Sequence, residues 1–226
     1  MDVDDVVELY RGIKDICRAY EVNILGGDTV MSREVPSSPS RLSVKSKREG
    51  LAAQRCQGRR RRCRVPYGRR FFRRLDVLLQ GHDGYESLKK AHQCPVPRIE
   101  LGRLLVQYGC HSLNDISDGL ASEANEIAKA SGVELVIDGS AVPTSSELQA
   151  WAAESGKHLL NFVFNGGEDY ELVFTMAPDD FKALQQAYPD VTPIGTVRAG
   201  DGRVLLQHDG KESVLLPKGW DHFERR

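Results

Sequence analysis

The stretch DISDGLASEANEIAKASGVELVI, residues 115–137, sets a helix and a strand in immediate succession. Leu120, Ala121, Ala124, Ile127 and Ala128 recur at spacings of three and four, which gives a helix one apolar face. Gly132 supplies its C-cap, and the apolar run Val133 to Ile137 reads as a strand. The same alternation continues downstream. Ser145 to Glu154 is a helix, Glu171 to Thr175 a strand and Pro178 to Ala187 a helix. Pro193 to Val197 is a strand, and Val204 to Leu216 is a hairpin turning at Asp209-Gly210. Upstream, Tyr85 to Gln93 is a helix stopped by Pro95 and Pro97, and Leu101 to Tyr108 is a second, short one. Near the start, Val6, Leu9, Tyr10, Ile13, Ile16, Cys17 and Tyr20 mark an amphipathic helix ending near Glu21. A short strand, Val22 to Leu25, then runs into Gly26-Gly27-Asp28-Thr29. No internal repeat is present, and the alternation predicts a layered sheet-and-helix domain.

The net charge of −1 over 226 residues hides an asymmetry. From Pro36 to Arg74 there are 14 Lys and Arg against the single acid Glu49, while the remainder carries 17 bases against 31 acids. That basic stretch has neither a 2 nor a 3.6 repeat, so it is not expected to form a packed element. Three segments are predicted: 1–35, the basic 36–74, and 75–226. No apolar run approaches the roughly 20 residues of a membrane helix, and the start Met1-Asp2-Val3-Asp4-Asp5 is acidic where a signal peptide is basic. The expectation is a soluble cytoplasmic protein with no membrane contact. Cys17, Cys56, Cys63, Cys94 and Cys110 are odd in number and form no CxxC pair, so they read as reduced thiols.

Three acidic clusters bearing glycine sit at element junctions. They are Gly26-Gly27-Asp28-Thr29, Asp115-Ile116-Ser117-Asp118-Gly119 and Asn165-Gly166-Gly167-Glu168-Asp169-Tyr170. Glycines let backbone N–H groups approach an anion, and Asp side chains at the same junctions suit an oxygen-ligated cation such as Mg²⁺. Phosphate with Mg²⁺ is the joint ligand this chemistry points to. A plainer reading stays open, in which these residues make turns and caps, with Asp115 or Ser117 capping the helix. If that helix begins near Ser117, its positive end faces a phosphate with Asp115 and Asp118 within one turn. No GxxxxGK[ST] occurs, so a P-loop is excluded.

These residues carry a resemblance when taken in order. Tyr10 and Gly26-Gly27-Asp28-Thr29-Val30 are followed by Pro95-Val96-Pro97-Arg98, Asp115 to Leu120, Asn165 to Leu172, Ile194-Gly195 and Gly219-Trp220-Asp221-His222-Phe223. The series resembles the bacterial thiamine-monophosphate kinases, within the aminoimidazole ribonucleotide synthetase superfamily, over residues 1–35 and 75–226. The resemblance implies an α+β C-terminal domain of that superfamily's type with a partial N-terminal domain. It implies ATP-dependent, Mg²⁺-dependent phosphorylation of thiamine monophosphate to the diphosphate. On the matching positions, Asp28, Asp115 and Asp118 would hold Mg²⁺, Tyr10, Gly27 and Ser117 would contact ATP, and Glu168 and Trp220 would hold the thiamine moiety. For Trp220, packing on the core stays open beside stacking on a heterocycle. The phosphate nucleophile is already ionised at neutral pH, so no catalytic base is nominated. The family also implies a homodimer.

Two departures from the family stand out. Much of the family's N-terminal domain precedes the position of Met1, and the basic segment stands where the family has a strand and a glycine-rich linker. Read one base later, Arg codons followed by C become Asp, Val, Ala or Gly codons. Over Gln54 to Leu75 such a shift permits Ser-Gly-Ala-Lys-Ala-Gly-Asp-Val-Val and then Gly-Asp-Gly-Ser-Ser-Ala-Gly-Leu. Residues 36–74 are therefore expected to be out of frame between two compensating shifts. The competing expectation is a nucleic-acid-binding arm, with its positive charges on phosphates and Tyr67, Phe71 and Phe72 stacking on bases. A third is an ATP-using enzyme of the same superfamily acting on another small acceptor.

Overall fold

The computed structural model describes residues 3–26, 64–68, 77–78 and 81–217. The chain divides into two compact units, Met1–Gly50 and Leu51–Arg226.

In the first unit, helix α1 spans Val3–Ala19, with Asp4 and Asp5 in its first turn and Arg18 in its last, the arrangement that complements the helix dipole. The strand expected over Val22 to Leu25 does not form: residues 22–26 lack regular structure and are exposed. A strand needs a neighbour for its backbone groups, and no described residue pairs with this run. The Val22 N–H instead returns to the Cys17 carbonyl at 2.8 Å.

The second unit runs β1 (Arg64–Gly68), α2 (Glu86–Gln93), α3 (Ile99–Gln107), β2 (Ser112–Asp115), α4 (Leu120–Ser131), β3 (Val133–Asp138) and α5 (Ser146–Glu154). It continues with α6 (Leu159–Asn165), β4 (Leu172–Thr175), α7 (Pro178–Ala187), β5 (Val191–Ala199), β6 (Val204–His208) and β7 (Lys211–Val214). The seven strands form one sheet in the order β2-β4-β1-β5-β3-β6-β7. All the ladders are antiparallel except that between β3 and β6. Strand β4 shows why helices gather on both faces. Val173 joins a cluster with Leu120, Ala124 and Ile127 of α4, Trp151 of α5 and Phe162 of α6. The next residue, Phe174, points the other way into a cluster with Leu101 and Leu105 of α3 and Phe181 and Leu184 of α7. The α+β class and the layered sheet are as expected.

The basic stretch departs from its reading as unpacked sequence. Arg64–Gly68 lies between β4 and β5, paired with both, and Val65 is fully buried. Ladder hydrogen bonds are made by the backbone, so the gap between two strands can be closed by residues of poor strand character. The misfit shows at one place: the register with β5 shifts between Val65 and Pro66, and Pro66 then faces Pro193. Neither proline has an N–H to give the ladder.

Candidate functional site

Strands β2 and β4 pair from Ser112 opposite Thr175 to Asp115 opposite Leu172. Beyond that ladder the two chains stay stitched together. The Ile116 N–H donates to the Glu171 carbonyl at 2.8 Å, and the Ile116 carbonyl accepts from Asp169 N–H at 3.0 Å and Tyr170 N–H at 2.8 Å. The Ser117 carbonyl accepts from Glu168 N–H at 2.6 Å. Four backbone hydrogen bonds thus hold the cluster Asp115–Gly119 against residues 168–171. Both need glycine where they meet. A Cβ on Gly167 would stand 2.7 Å from the Ser117 carbonyl oxygen, and one on Gly119, at φ +104°, would stand 2.9 Å from the Phe164 carbonyl oxygen. These are backbone atoms and cannot swing aside. Gly167→Ala is therefore expected to cost about 2 kcal/mol in a urea melt, by parting the two loops. Glu168 and Tyr170 sit at φ 61° and 51°, in the left-handed region that side chains rarely adopt. Such strain is concentrated where a loop has a job other than connection.

Helix α4 begins at Leu120, later than the expected start near Ser117. Its N-cap is Gly119, with no side-chain capping bond. That geometry removes the reading of Asp115 or Ser117 as the cap. Asp118 instead gives its backbone N–H to Glu123 Oε1 at 3.2 Å, and Ser117 Oγ donates to the same oxygen at 3.3 Å. Asn114 Nδ2 donates to Glu123 Oε2. Burial pushes the Glu123 carboxyl up from its ordinary range, against the pull of the Asp118 and Ser117 hydrogen bonds, and the charges of Glu126 and Asp115 push it further. Asp115 and Asp118 are exposed, beside the positive end of α4. Among the described residues no group of three or more His, Cys, Asp and Glu could hold a metal ion. Mg²⁺ fits such a site nonetheless, because it is commonly held by one or two carboxylates while phosphates and water complete its shell.

Tyr10 lies on α1 in the first unit, 40% exposed. Gly27, Asp28 and Trp220 lie outside the described residues, as do Cys56 and Cys63. Cys17, Cys94 and Cys110 are free thiols. Glu168 projects from the third cluster, and His92 Nδ1 of α2 stands 3.5 Å from its Oε2. Arg98, at the start of α3, grips the buried Glu171 through Nε at 3.0 and 2.9 Å and through Nη2. Sequence reasoning missed Glu123, His92 and the role of Arg98. For Glu123 a signal existed: an acid on the helix stripe that also carries Leu120, Ala124 and Ile127 is out of place unless something holds it.

A sheet flanked by helices on both faces, with two glycine-bearing acidic loops clasped at one end, defines a domain of the AIR synthase type. The family model described as AIR synthase related protein, C-terminal domain, matches residues 80–207. A thiamine-monophosphate kinase of Aquifex aeolicus is 30% identical over 233 residues, covering 99% of this chain and 70% of that protein. Its counterpart from Bacillus subtilis is also 30% identical, over 97% of this chain and 70% of its own length. The solved structure of AaThiL complexed with AMPPCP and TMP superposes with a TM-score of 0.76 at 29% identity, covering 99% of this chain and 70% of that one. The chain belongs to the thiamine-monophosphate kinase family. Among the described residues no helix is long and apolar enough to cross a membrane.

Proposed function

We propose that this chain transfers the γ-phosphoryl group of ATP to thiamine monophosphate, giving thiamine diphosphate and ADP, with Mg²⁺ required. An oxygen of the acceptor's phosphate bonds to the γ-phosphorus while the bond to the ADP oxygen breaks. The observation that supports this reading is the clasp between Asp115–Gly119 and Gly166–Tyr170. It sets two exposed carboxylates, a hydroxyl and the Glu168 carboxylate around one loop pair at a helix's positive end. Asp115 and Asp118 would hold Mg²⁺, whose charge would neutralise the triphosphate and the acceptor's phosphate as they approach. Ser117 would contact ATP, and Glu168, with Trp220, would hold the thiamine moiety, as in the family. Positioning and charge neutralisation carry such a transfer, so no side chain is asked to remove a proton.

A coupled assay following thiamine diphosphate formation with and without Mg²⁺ tests the reaction. Activity only with Mg²⁺ is the expected result, and thiamine monophosphate should raise the melting temperature more than other phosphorylated acceptors. A different acceptor that protects better would transfer the chain to another substrate within the superfamily. Ser117→Ala is expected to lower turnover less than about tenfold, since it removes one neutral hydroxyl and leaves the loop backbone in place.

The same proposal takes residues 36–74 as translated out of frame. Its support is β1, a strand held inside the sheet by sequence with proline opposite proline. The coding DNA across codons 36–74 decides it: a shifted frame that encodes no glycine-rich linker overturns the idea.

A further inference from the structure

Glu123 is 4% exposed on α4, and among the described residues no cation pairs with it. A buried carboxylate beside Asp115 and Glu126 opposes folding, and an apolar residue on that stripe would serve the core better. What the carboxylate does instead is spend both oxygens on the loop in front of it. Oε2 takes the Asn114 amide, and Oε1 takes the Ser117 hydroxyl and the Asp118 backbone N–H. Asn114 lies before Asp115, Ser117 lies between the two acids, and Asp118 is held by its own N–H, so one side chain ties down the loop that carries both exposed acids. Glu126 shares only the Asn114 amide, at 3.1 Å, from the exposed side of the helix.

We infer that Glu123 is a positioning residue, holding the Asp115–Asp118 loop in the geometry that receives a divalent cation with its phosphate ligand. This rests on the reading of Asp115 and Asp118 as cation ligands. Its logic is that of groups behind a metal's direct ligands, whose loss typically weakens binding about 10- to 100-fold because the ligands then find the ion only part of the time. A carboxylate suits the task better than an amide. Both of its oxygens accept, whereas Gln in its place would turn an NH₂ toward either the Asn114 amide or the Asp118 N–H.

The test is Mn·ATP binding by the full chain, followed by electron paramagnetic resonance, with a thermal melt on every variant. Glu123→Gln is expected to weaken Mn·ATP about tenfold while the melting temperature holds or rises. Glu123→Asp, which keeps both acceptor oxygens, should recover part of the loss, and Glu126→Gln should change affinity less than about twofold. Wild-type affinity in Glu123→Gln, with binding lost in Asp118→Asn, overturns this inference and leaves the cation reading standing. Equal losses in Glu123→Gln and Glu123→Asp that track lowered melting temperatures also overturn it, because the residue would then only support the fold. Unchanged binding in Asp115→Asn and Asp118→Asn, or no binding by the unaltered chain, overturns the cation reading and this inference with it.

Discussion

Arg98→Met lowers the stability of the Leu51–Arg226 unit by about 3 kcal/mol and its melting temperature by roughly 10 °C. Glu171 is 4% exposed at its side chain, so removing the guanidinium takes the opposing charge away from a carboxylate that water reaches poorly. Glu171→Gln is expected to cost about half as much. Its amide oxygen still accepts from Arg98, and the guanidinium, 24% exposed, can recruit water. The asymmetry separates this pair from a surface ion pair, where either change would be nearly silent. The loss also reaches the site, because the Glu171 backbone carbonyl takes the Ile116 N–H at one end of the loop clasp. Differential scanning calorimetry on both variants measures the order, and equal or negligible shifts would reduce Arg98 to a solvated surface charge.

The elements legible in the sequence are those whose signals are local. Helix α7 runs from Pro178 to Ala187 as read, because Pro at the first helical position, Asp179 and Asp180 all favour a helix start there. Gly132 closes α4 at φ 62°, and the hairpin turns at Asp209 and Gly210 with φ 49° and 71°, both positive as a two-residue turn demands. Helix α6 escaped because Leu159–Asn165 is apolar nearly throughout: Phe162, Val163 and Phe164 are all buried, and no polar face gives the run a period. Strand β2 escaped for the opposite reason. Ser112, Asn114 and Asp115 are polar, and only the ladder to β4 makes a strand of them. Strand β1 could not be read at all, since its two neighbours come from residues 172–175 and 191–199, far along the chain.

The candidate site divides along the same line. The acidic clusters were visible because Asp and Gly at junctions are a compositional signal. Which of them meet was not, because the clasp is made of backbone groups that every sequence carries. The start of α4 was misplaced for a related reason. Asp and Ser resemble caps, yet Gly119 at φ 104° ends the loop and Glu123 reaches back for the N–H that a cap would have taken. That geometry removes the capping role for Asp115 and Ser117.

On the proposed cation role, Asp118→Asn and Asp115→Asn are each expected to lower Mg²⁺-dependent phosphoryl transfer by roughly 100-fold, the scale of losing one preorganised electrostatic group at a reacting phosphate. The triphosphate and the acceptor's phosphate repel one another as they approach, and neutralisation by cations held in place brings the acceptor oxygen into line. Asn keeps the size of Asp and one acceptor oxygen but removes the negative charge that attracts Mg²⁺. Both residues are exposed and neither caps α4, so the melting temperature should stay within the range of an ordinary surface change, about 0.5 kcal/mol. Raising Mg²⁺ should restore part of the rate by mass action, because the variant weakens binding of the cation and leaves the loop intact. Turnover measured against Mg²⁺ concentration therefore separates the possibilities. A lost rate that Mg²⁺ partly recovers supports the ligand role, whereas full activity in both variants removes it. A rate that falls in step with the melting temperature returns the two aspartates to holding the loop.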